Sequence, residues 1–488
     1  MPTCARLCSG ASGPAVQLFS PWRAATLIWL AILTSLVVPS STSAATAVRF
    51  GPDFNLSSLT DTNDPPIREV SLAASPSDAS IMVAGFIEDL PRAQDVNCRS
   101  VFSVDAGRTW SSGGLTPLVL KKSNCFDPSV AADPAGVFYY GYLNLPRSFS
   151  TGESAILVAR STDGGRSFAT SSVVVLPDPS LELVDKPYIA VDAQPASPLR
   201  GTVYVSYTSI LPTASAIRVR ASRDAGATWS SAATVSRVAP FPAGEVQGSL
   251  PVVAPDGSLY VFYADYALPS GPLSIEFAKS SDGGSTWTPP ADVAAGLPSP
   301  GQFRLKNADP AFGTDPFIGV IAESFPIAAI AGNGTIFVAW TDFPNGSCVN
   351  TGQSRPPCTN ADVRLSVSKN GGKSWTVPIK VSDDTGVADQ FLPWIAVDPG
   401  GLLSLGWLDR RLDPGNLNYD VFYTNTTDGR TFLPNVKVNS STSIVQTQYT
   451  VGDYTGLAAT SAGVVLAWPD LRVPLSPEVF AAQGVLGP

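Results

Sequence analysis

The chain has 488 residues, and its 40 acidic and 31 basic side chains give a formal net charge of −9 at pH 7. With this charge and no basic cluster, nucleic acid and anionic membranes are disfavoured as partners. The chain contains no histidine, which excludes Ser-His-Asp and Cys-His nucleophiles and histidine-ligated metals. Only 15% of its residues are charged, whereas about 25% is usual, and its 41 glycines and 44 prolines favour short strands joined by turns.

The N-terminus has the pattern of a targeting segment. Arg6 and Arg23 precede an apolar run at 24–38, and small residues follow at 40–45. The run is shorter than the roughly 20 residues that span a bilayer, although an uncleaved anchor is the alternative. We therefore expect a signal peptide at 1–45, and a single domain at 46–488 that is secreted, periplasmic or on the cell surface without membrane insertion.

One eight-residue pattern, Ser-x-Asp-x-Gly-x-Thr-Trp, recurs along the rest of the chain and is called the box below. The acidic positions of successive copies lie 58, 61, 58, 88 and 58 residues apart, and a fixed period of this size indicates one repeated supersecondary unit. The six copies, two of them looser, cover 103–110, 161–168, 222–229, 280–287, 368–375 and 426–432.

Two apolar stretches joined by a turn precede each box, and a seventh such pair starts near Leu457 without a box after it. The segment 47–56 resembles the strands that follow the boxes and offers the missing outer strand of the last unit. The sequence therefore predicts an all-β propeller of four-stranded antiparallel blades, seven in number with six as the alternative. Pairing of the N- and C-terminal strands would close the ring and remove exposed sheet edges.

The boxes resemble the Asp-box (BNR) repeat of β-propellers in the sialidase superfamily, over nearly the whole predicted domain. The resemblance implies a propeller fold more strongly than any activity. In the box, Asp accepts backbone N–H bonds, Gly adopts a conformation that other residues reach only with strain, and the aromatic residue packs between sheets. We expect the six acidic or Asn positions to be structural and not catalytic.

Four cysteines remain after the predicted signal peptide, which suggests two disulfides in an oxidising compartment. Sequence allows three pairings, and the local pairs Cys98–Cys125 and Cys348–Cys358 are favoured. No zinc-type spacing or cofactor motif is present, so no cofactor is expected, and a bound metal is left undecided. Five N-glycosylation sequons are available if the chain is eukaryotic; they lie at Asn55, Asn333, Asn345, Asn425 and Asn439.

One face of the predicted propeller collects the features that depart from the repeat. Acidic residues precede several innermost strands there, and 30 extra residues in the interval of 88 fall at 297–325 on the same face. A Trp-x-Asp-x-Arg pattern also recurs there. Loops on a rigid scaffold are where binding and catalysis concentrate. The acidic residues are Asp127, Asp185, Asp389 and Asp453, and the repeated pattern holds Asp409, Arg411, Asp470 and Arg472.

The resemblance to sialidases implies three arginines around a substrate carboxylate, a tyrosine nucleophile with a Glu partner, and an Asp acid/base. The family's Phe/Tyr-Arg-Ile-Pro motif is matched only by Arg68, without the following Ile-Pro, and seven units depart from the six sialidase blades. Arg304, Arg411 and Arg472 are the other arginine candidates, Tyr454 or Tyr449 the nucleophile, and Glu245 or Glu323 its partner. The catalytic candidates are Asp185, Asp389, Arg68, Arg411, Tyr454 and Glu245.

These patterns favour an exported sialidase-like glycoside hydrolase that acts on a glycan or glycoprotein through this face. A non-catalytic propeller that binds a glycan or a protein partner is the alternative, and an assembly or structural propeller is the third hypothesis. Tyrosines and recurrent Asp or Arg residues of such repeats more often pack, cap turns or form ion pairs than catalyse.

Overall fold

The protein is described from a computed structural model, and it is built almost entirely of β-strands. Residues 42–488 belong to one compact unit. The predicted signal peptide lies outside the described residues, and its cleavage stays a prediction. The structure describes residues 46–60, 67–90, 95–120, 123–147, 153–267, 272–306, 320–349, 355–445, 451–473 and 476–487.

Within these ranges the strands form seven four-stranded antiparallel blades, as the repeat predicted. The first six blades each use four strands in chain order from the inside of the ring to the outside. Blade 1 contains β3 (Ile67–Ala74), β4 (Met82–Leu90), β5 (Asp95–Ser103) and β6 (Ser111–Leu115). Blade 2 contains β7 (Ser123–Ala132), β8 (Phe138–Pro146), β9 (Ala155–Ser161) and β10 (Thr170–Val175). Blade 3 contains β11 (Leu183–Val191), β12 (Val203–Leu211), β13 (Ala214–Ser222) and β14 (Ala233–Thr234), and β15 (Ala239–Pro240) also pairs with β13. Blade 4 contains β16 (Gly244–Val253), β17 (Leu259–Ala267), β18 (Leu273–Ser280) and β19 (Ala291–Leu297). Blade 5 contains β22 (Ile327–Ile330), β23 (Ile336–Asp342), β26 (Asp362–Ser368) and β27 (Ile379–Lys380). Blade 6 contains β28 (Gln390–Val397), β29 (Leu403–Asp409), β30 (Asp420–Thr426) and β31 (Val436–Lys437).

Blade 7 joins the two ends of the chain. Its three inner strands are β32 (Gly456–Thr460), β33 (Gly463–Asp470) and β34 (Glu478–Leu486), and its outer edge is formed by β1 (Val48–Phe50) and β2 (Phe54–Asn55). A short 3₁₀ helix, Leu56–Leu59, follows β2. The innermost strand of each blade contacts that of the next, and β32 contacts β3, so the ring is closed. The predicted closure is therefore confirmed.

The hydrophobic core lies between neighbouring blades. One cluster, for example, combines Val83 of blade 1 with Tyr140 and Leu157 of blade 2. Blades approach closely there: a Cβ on Gly85 would lie 2.4 Å from the ring of Tyr140. Each twisted sheet thus carries apolar residues on both faces and buries them against the neighbouring sheets.

The six boxes form the turns between the third and fourth strands, with the bonding that the sequence predicted. In the first box, Asp105 accepts the backbone N–H of Thr109 at 2.9 Å and its hydroxyl at 2.6 Å. Asn370 replaces the acid in the fifth box and still accepts the N–H of Ser374 at 3.0 Å. The acidic side chains of the boxes therefore accept hydrogen bonds that hold the turns together.

Both local disulfides form, which is consistent with an extracellular protein. Cys98–Cys125 joins β5 to β7 and so ties blade 1 to blade 2, while Cys348–Cys358 closes a loop of blade 5 through β24 (Ser347–Cys348) and β25 (Cys358–Thr359). The extra segment after blade 4 adds a hairpin of β20 (Gln302–Leu305) and β21 (Val320–Glu323). Among the described residues, no helix is long and apolar enough to cross a bilayer.

Candidate functional site

The front face, defined as the face where the innermost strands begin, carries a ring of equivalent positions around the central channel. Five innermost strands share an irregular register there, and the residue inside it has a positive φ between 47° and 67°. Such a φ is strained for a residue with a side chain, and it turns that side chain out of the sheet's regular alternation. The five residues are Glu69, Asp127, Lys186, Gly248 and Leu392. Phe325 occupies the equivalent position before β22, and Asp453 lies one residue before the equivalent position of β32.

Four of these positions, together with Glu323 of the β20–β21 hairpin, form the mouth cluster. Lys186 is its centre: the Nζ contacts Asp453 and lies 3.5 Å from Glu323 Oε2 and 3.6 Å from Asp127 Oδ1. Glu69 accepts the backbone N–H of Asp127 at 3.3 Å. The side chain of Asp453 is 22% exposed, whereas Lys186 is only 8% exposed, so solvent reaches the cluster mainly at Asp453.

Burial and the ammonium of Lys186 shift the pKa values of these carboxyls in opposite directions. Burial raises the pKa of Asp127 to about 7 and, reinforced by Asp127 and Asp453, holds that of Glu69 well above its usual value. Burial also raises the pKa of Glu323 well above its usual value. Burial opposes the charged form of Asp453, but the ammonium of Lys186 outweighs it and the pKa of Asp453 is lowered. Burial also opposes the charged form of Lys186, but the surrounding carboxylates outweigh it and the pKa of Lys186 is raised. Lys186 is thus held charged, with Asp453 as its principal partner.

Three aromatic rings lie beneath the mouth cluster. Tyr188, Trp394 and Tyr454 come from three different blades, and their ring centroids are 5.6 to 6.2 Å apart. The hydroxyl of Tyr454 donates to the carbonyl oxygen of Pro128 at 3.0 Å. Below the rings the channel is lined by mainly apolar residues of blades 3 to 6. The polar chemistry of the channel is therefore concentrated at its front end.

A chain of hydrogen bonds forms one side of the mouth. Gln247 Nε2 donates to Asp185 Oδ2 at 2.8 Å, and Gln302 Nε2 donates to Gln247 Oε1 at 2.8 Å. Arg355 Nε completes the chain by donating to Gln302 Oε1 at 3.2 Å. A carboxylate at one end and a guanidinium at the other fix the orientation of both amides. The rim thus spans blades 3 and 4, the hairpin and the loop of the second disulfide.

Glu245 lies on the same side of the mouth, two residues before Gln247 on β16. Burial raises its pKa and the charge of Asp185 adds to the rise, while a hydrogen bond from Tyr266 and the charge of Arg355 oppose it. Glu245 is half-buried, so it stays within reach of solvent. A carboxyl with a raised pKa thus stands beside a second carboxyl group and a guanidinium.

The structure places four of the six predicted catalytic residues around the mouth. Asp185 and Glu245 are electrostatic neighbours on the rim, and Tyr454 lies in the aromatic layer. Arg68 precedes Glu69 on β3 and lowers the pKa of both Glu69 and Asp453. These positions agree with the predicted front face.

Asp389 and Arg411 make none of the contacts of the mouth cluster. Asp389 forms a buried ion pair with Arg410 at 3.1 Å. Arg411 binds Asp409 at 2.8 Å and Asp383 at 2.5 Å, as expected for a structural ion pair. Asp389 lies three residues before the ring position of its strand, which explains why it points elsewhere.

The remaining arginine candidates are also occupied away from the mouth cluster. Arg472 repeats the Arg411 arrangement with Asp470 at 2.6 Å and Asp53 at 2.7 Å. Arg304 is buried and donates to the carbonyl oxygen of Arg355 at 2.8 Å. Arg68 is therefore the member of the predicted arginine cluster that lies around the mouth. Tyr449, the alternative nucleophile, lies outside the described residues.

Sequence reasoning missed Lys186, Glu69, Gln302 and Arg355 as site residues. The first two occupy the same repeat column as Asp127, so aligning the repeats on the first core residue of each innermost strand would have found them. Gln302 and Arg355 lie in segments that depart from the repeat, where no column exists. The sequence signal for them was their place in or near the predicted insertion at 297–325 and the predicted disulfide Cys348–Cys358.

The chain matches no protein-family model and no curated protein. Solved structures similar to it include a protein of unknown function from Dyadobacter fermentans, with 12% identity, a TM-score of 0.48, and coverage of 90% of this chain and 99% of that one. The leech intramolecular trans-sialidase has 12% identity, a TM-score of 0.47, and coverage of 74% and 67%. The α-L-arabinofuranosidase Arb93A from Fusarium graminearum has 15% identity, a TM-score of 0.44, and coverage of 74% and 93%.

Proposed function

We propose that the protein is a glycoside hydrolase that acts on a glycan at the front-face mouth. Glu245 is the general acid in this proposal, and Asp185 is the partner carboxylate. The acid protonates the oxygen of the leaving group as the glycosidic C–O bond breaks. The partner either attacks the anomeric carbon, to be displaced later by water, or removes a proton from an attacking water. The net reaction adds one water across the bond.

The observation that carries the proposal is the pairing of these two neighbouring carboxyls on the rim. Burial and the charge of Asp185 raise the pKa of Glu245. The carboxyl of Asp185 accepts a hydrogen bond from Gln247 Nε2 at 2.8 Å, which fixes its orientation. Glycoside hydrolysis needs one carboxyl that donates a proton and a second that acts as nucleophile or base.

Further groups around the mouth can hold a substrate. Arg355 is half-buried, and among the described residues only Gln302 is hydrogen bonded to its side chain, through Nε. Its terminal N–H groups can therefore donate to hydroxyl or carboxylate oxygens of a sugar. Arg68, also half-buried, adds a second positive charge, which acts on Glu69 and Asp453.

A tyrosine nucleophile of the sialidase type has weaker support. Burial raises the pKa of Tyr454 well above its usual value, and its hydroxyl is used in a bond to a backbone carbonyl. A nucleophile needs the opposite environment, with a lowered pKa or an adjacent base. The carboxyl pair is therefore the better choice for catalysis.

A non-catalytic glycan- or protein-binding propeller is the second candidate. Its support is the deep burial of the mouth cluster, where Lys186 already pairs with Asp453, Asp127 and Glu323. Such an ion-paired centre can serve structure alone, while the rim of Arg355 and Gln302 binds a ligand without cleaving it.

Aryl glycosides distinguish the two candidates. The purified protein is assayed against a panel of neutral and acidic aryl glycosides that includes a sialoside. We expect turnover of at least one glycoside, and a loss of about 10²–10⁴-fold in kcat for Glu245→Gln and Asp185→Asn. Asp178→Asn is the matched control, because Asp178 lies exposed in a front-face loop and, among the described residues, its side chain bonds only Ser180.

Two outcomes would contradict the hydrolase proposal. If folded protein cleaves no glycoside in the panel, the binding candidate is the better one. If a glycoside is cleaved but Glu245→Gln and Asp185→Asn retain full activity, the carboxyls that act are not these two.

A further inference from the structure

We propose that Glu69, Asp127 and Asp453 bind a calcium ion at the front end of the channel, at the centre of the seven-bladed ring. The inference concerns the mouth cluster and not the carboxyl pair of the rim, so it does not depend on the hydrolase proposal. Its ligands come from three blades that are adjacent around the closed ring, namely blades 7, 1 and 2.

The spacing of the three carboxylates suits one ion. One oxygen atom from each of Glu69, Asp127 and Asp453 lies within 4.8 Å of the others. Calcium takes oxygen ligands at about 2.3–2.6 Å, so two ligands on opposite sides of the ion are about 4.6–5.2 Å apart. Three oxygens that close together can reach a common ion with small side-chain shifts.

Glu323 provides the second, independent observation. Its side chain is only 1% exposed, and among the described residues neither of its carboxylate oxygens has a hydrogen-bond partner. It points at the same Lys186 Nζ as Asp127 and Asp453 do, from a distance of 3.5 Å. A buried carboxylate without hydrogen bonds is costly unless a cation compensates it.

Among the described residues, four carboxyl groups surround the single ammonium of Lys186; they belong to Glu69, Asp127, Glu323 and Asp453. A divalent cation would add two positive charges to this buried cluster, which offsets the cost of holding its carboxyls ionised away from water.

The ammonium of Lys186 has other contacts available to it when the ion binds. Its Nζ already lies 3.5 Å from Glu323 and 5.8 Å from the ring centre of Phe325. Gly248 leaves room for that ring, since a Cβ at Gly248 would lie 2.1 Å from it. The ammonium can therefore withdraw towards Glu323 and Phe325, where an ion pair and a cation–π contact hold it.

The ligand chemistry favours calcium. The site offers carboxylate oxygens only, which suit hard cations, and it has no thiolate or imidazole for zinc or copper. Magnesium demands near-ideal octahedral geometry at about 2.0–2.1 Å, whereas calcium accepts six to eight ligands in irregular arrangements. Carboxylates from three separate strands, with water completing the shell, fit the less demanding ion.

Calcium titration of chelator-treated protein tests the proposal without any substrate. Calorimetry of the wild type with CaCl₂ should show one site with a Kd of about 10⁻⁴ M or tighter, and the melting temperature should rise with calcium. Asp453→Asn should weaken binding by about tenfold or more, and Glu69→Gln serves if that variant does not fold. Lys186→Met should bind calcium more tightly, because it removes the competing ammonium. Asp178→Asn is the control and should bind as the wild type does.

The proposal is overturned if calcium up to about 10 mM gives neither heat nor a melting shift with the wild type, since even weak extracellular sites bind below that concentration. It is also overturned if Asp453→Asn and Glu69→Gln bind calcium as the wild type does, or if magnesium binds and calcium does not. Because no glycoside is present, the result stands whichever way the hydrolase assay falls.

Discussion

Replacing Asp389 by asparagine separates a structural from a catalytic role for this residue. Asp389 and Arg410 form an ion pair at 3.1 Å, and both side chains are 0% exposed. The same carboxylate accepts the backbone N–H of Ala361 at 3.0 Å and the amide of Asn416 at 2.9 Å. An asparagine there leaves Arg410 charged and buried, and its own amide N–H₂ faces a guanidinium or another amide donor.

The expected cost follows from complete burial. Removing one partner of a buried ion pair costs about 3–5 kcal/mol, and no reduction for solvent screening applies because neither side chain reaches solvent. A domain of about 440 residues unfolds with an entropy of about 0.9 kcal/mol per degree, at about 2.1 cal/mol/K per residue. We therefore expect the melting temperature to fall by about 3–5 °C.

Thermal and urea unfolding of the wild type, Asp389→Asn, Arg410→Met and the double variant provide the test. The double variant should lose less stability than the two single variants summed, because it leaves no uncompensated buried charge. Activity per folded molecule should stay at the wild-type level. A loss of less than about 1 kcal/mol, or a loss of activity at unchanged stability, would refute this reasoning.

Three further outcomes are expected. Arg472→Ala should lower the free energy of unfolding by about 1–3 kcal/mol in urea titration, because it leaves the largely buried Asp53 without its cation; an unchanged transition would show that the ion pair adds nothing to ring closure. Cys348→Ser, which opens the second disulfide, should free the loop that holds Arg355 and raise KM for the cleaved glycoside roughly tenfold with a smaller change in kcat; an unchanged KM would remove Arg355 from substrate binding. Glu245 has a raised pKa, so the acid is lost and kcat/KM should fall as pH rises through that pKa, and Glu245→Gln should abolish this limb of the pH profile; a limb that persists would belong to another group.

The fold could be predicted in detail because the repeat carries it. The box specifies a turn through local hydrogen bonds, such as those that Thr286 donates to the carboxylate of Asp282, and these need no tertiary information. Seven pairs of apolar stretches with six boxes left one unit incomplete, and segment 47–56 matched the missing strand. The disulfide Cys98–Cys125 was favoured as a local pair, and both cysteines begin strands on the front face.

The site was harder to predict because a shift of one residue in a strand reverses the direction of a side chain. Asp185 and Lys186 are consecutive, yet Asp185 joins the rim while Lys186 enters the mouth cluster. Asp389 was grouped with them because it too precedes an innermost strand, but the ring position of that strand is Leu392. Counting back from each strand start gives the approximate place of a residue, whereas the irregular register that produces the positive φ decides its direction.

The closure of blade 7 also has a consequence for how the chain acquires its structure. Val48 pairs with Leu486, so the first and last described strands must meet across a separation of more than four hundred residues. During synthesis, β1 remains without its partner until β34 has emerged. The last blade, and with it the alignment of Asp453 against Glu69 and Asp127, can form only after the whole chain has emerged. Long-range pairing of this kind slows folding, but once made it must break before the ring can open, so the same contact should make unfolding slow.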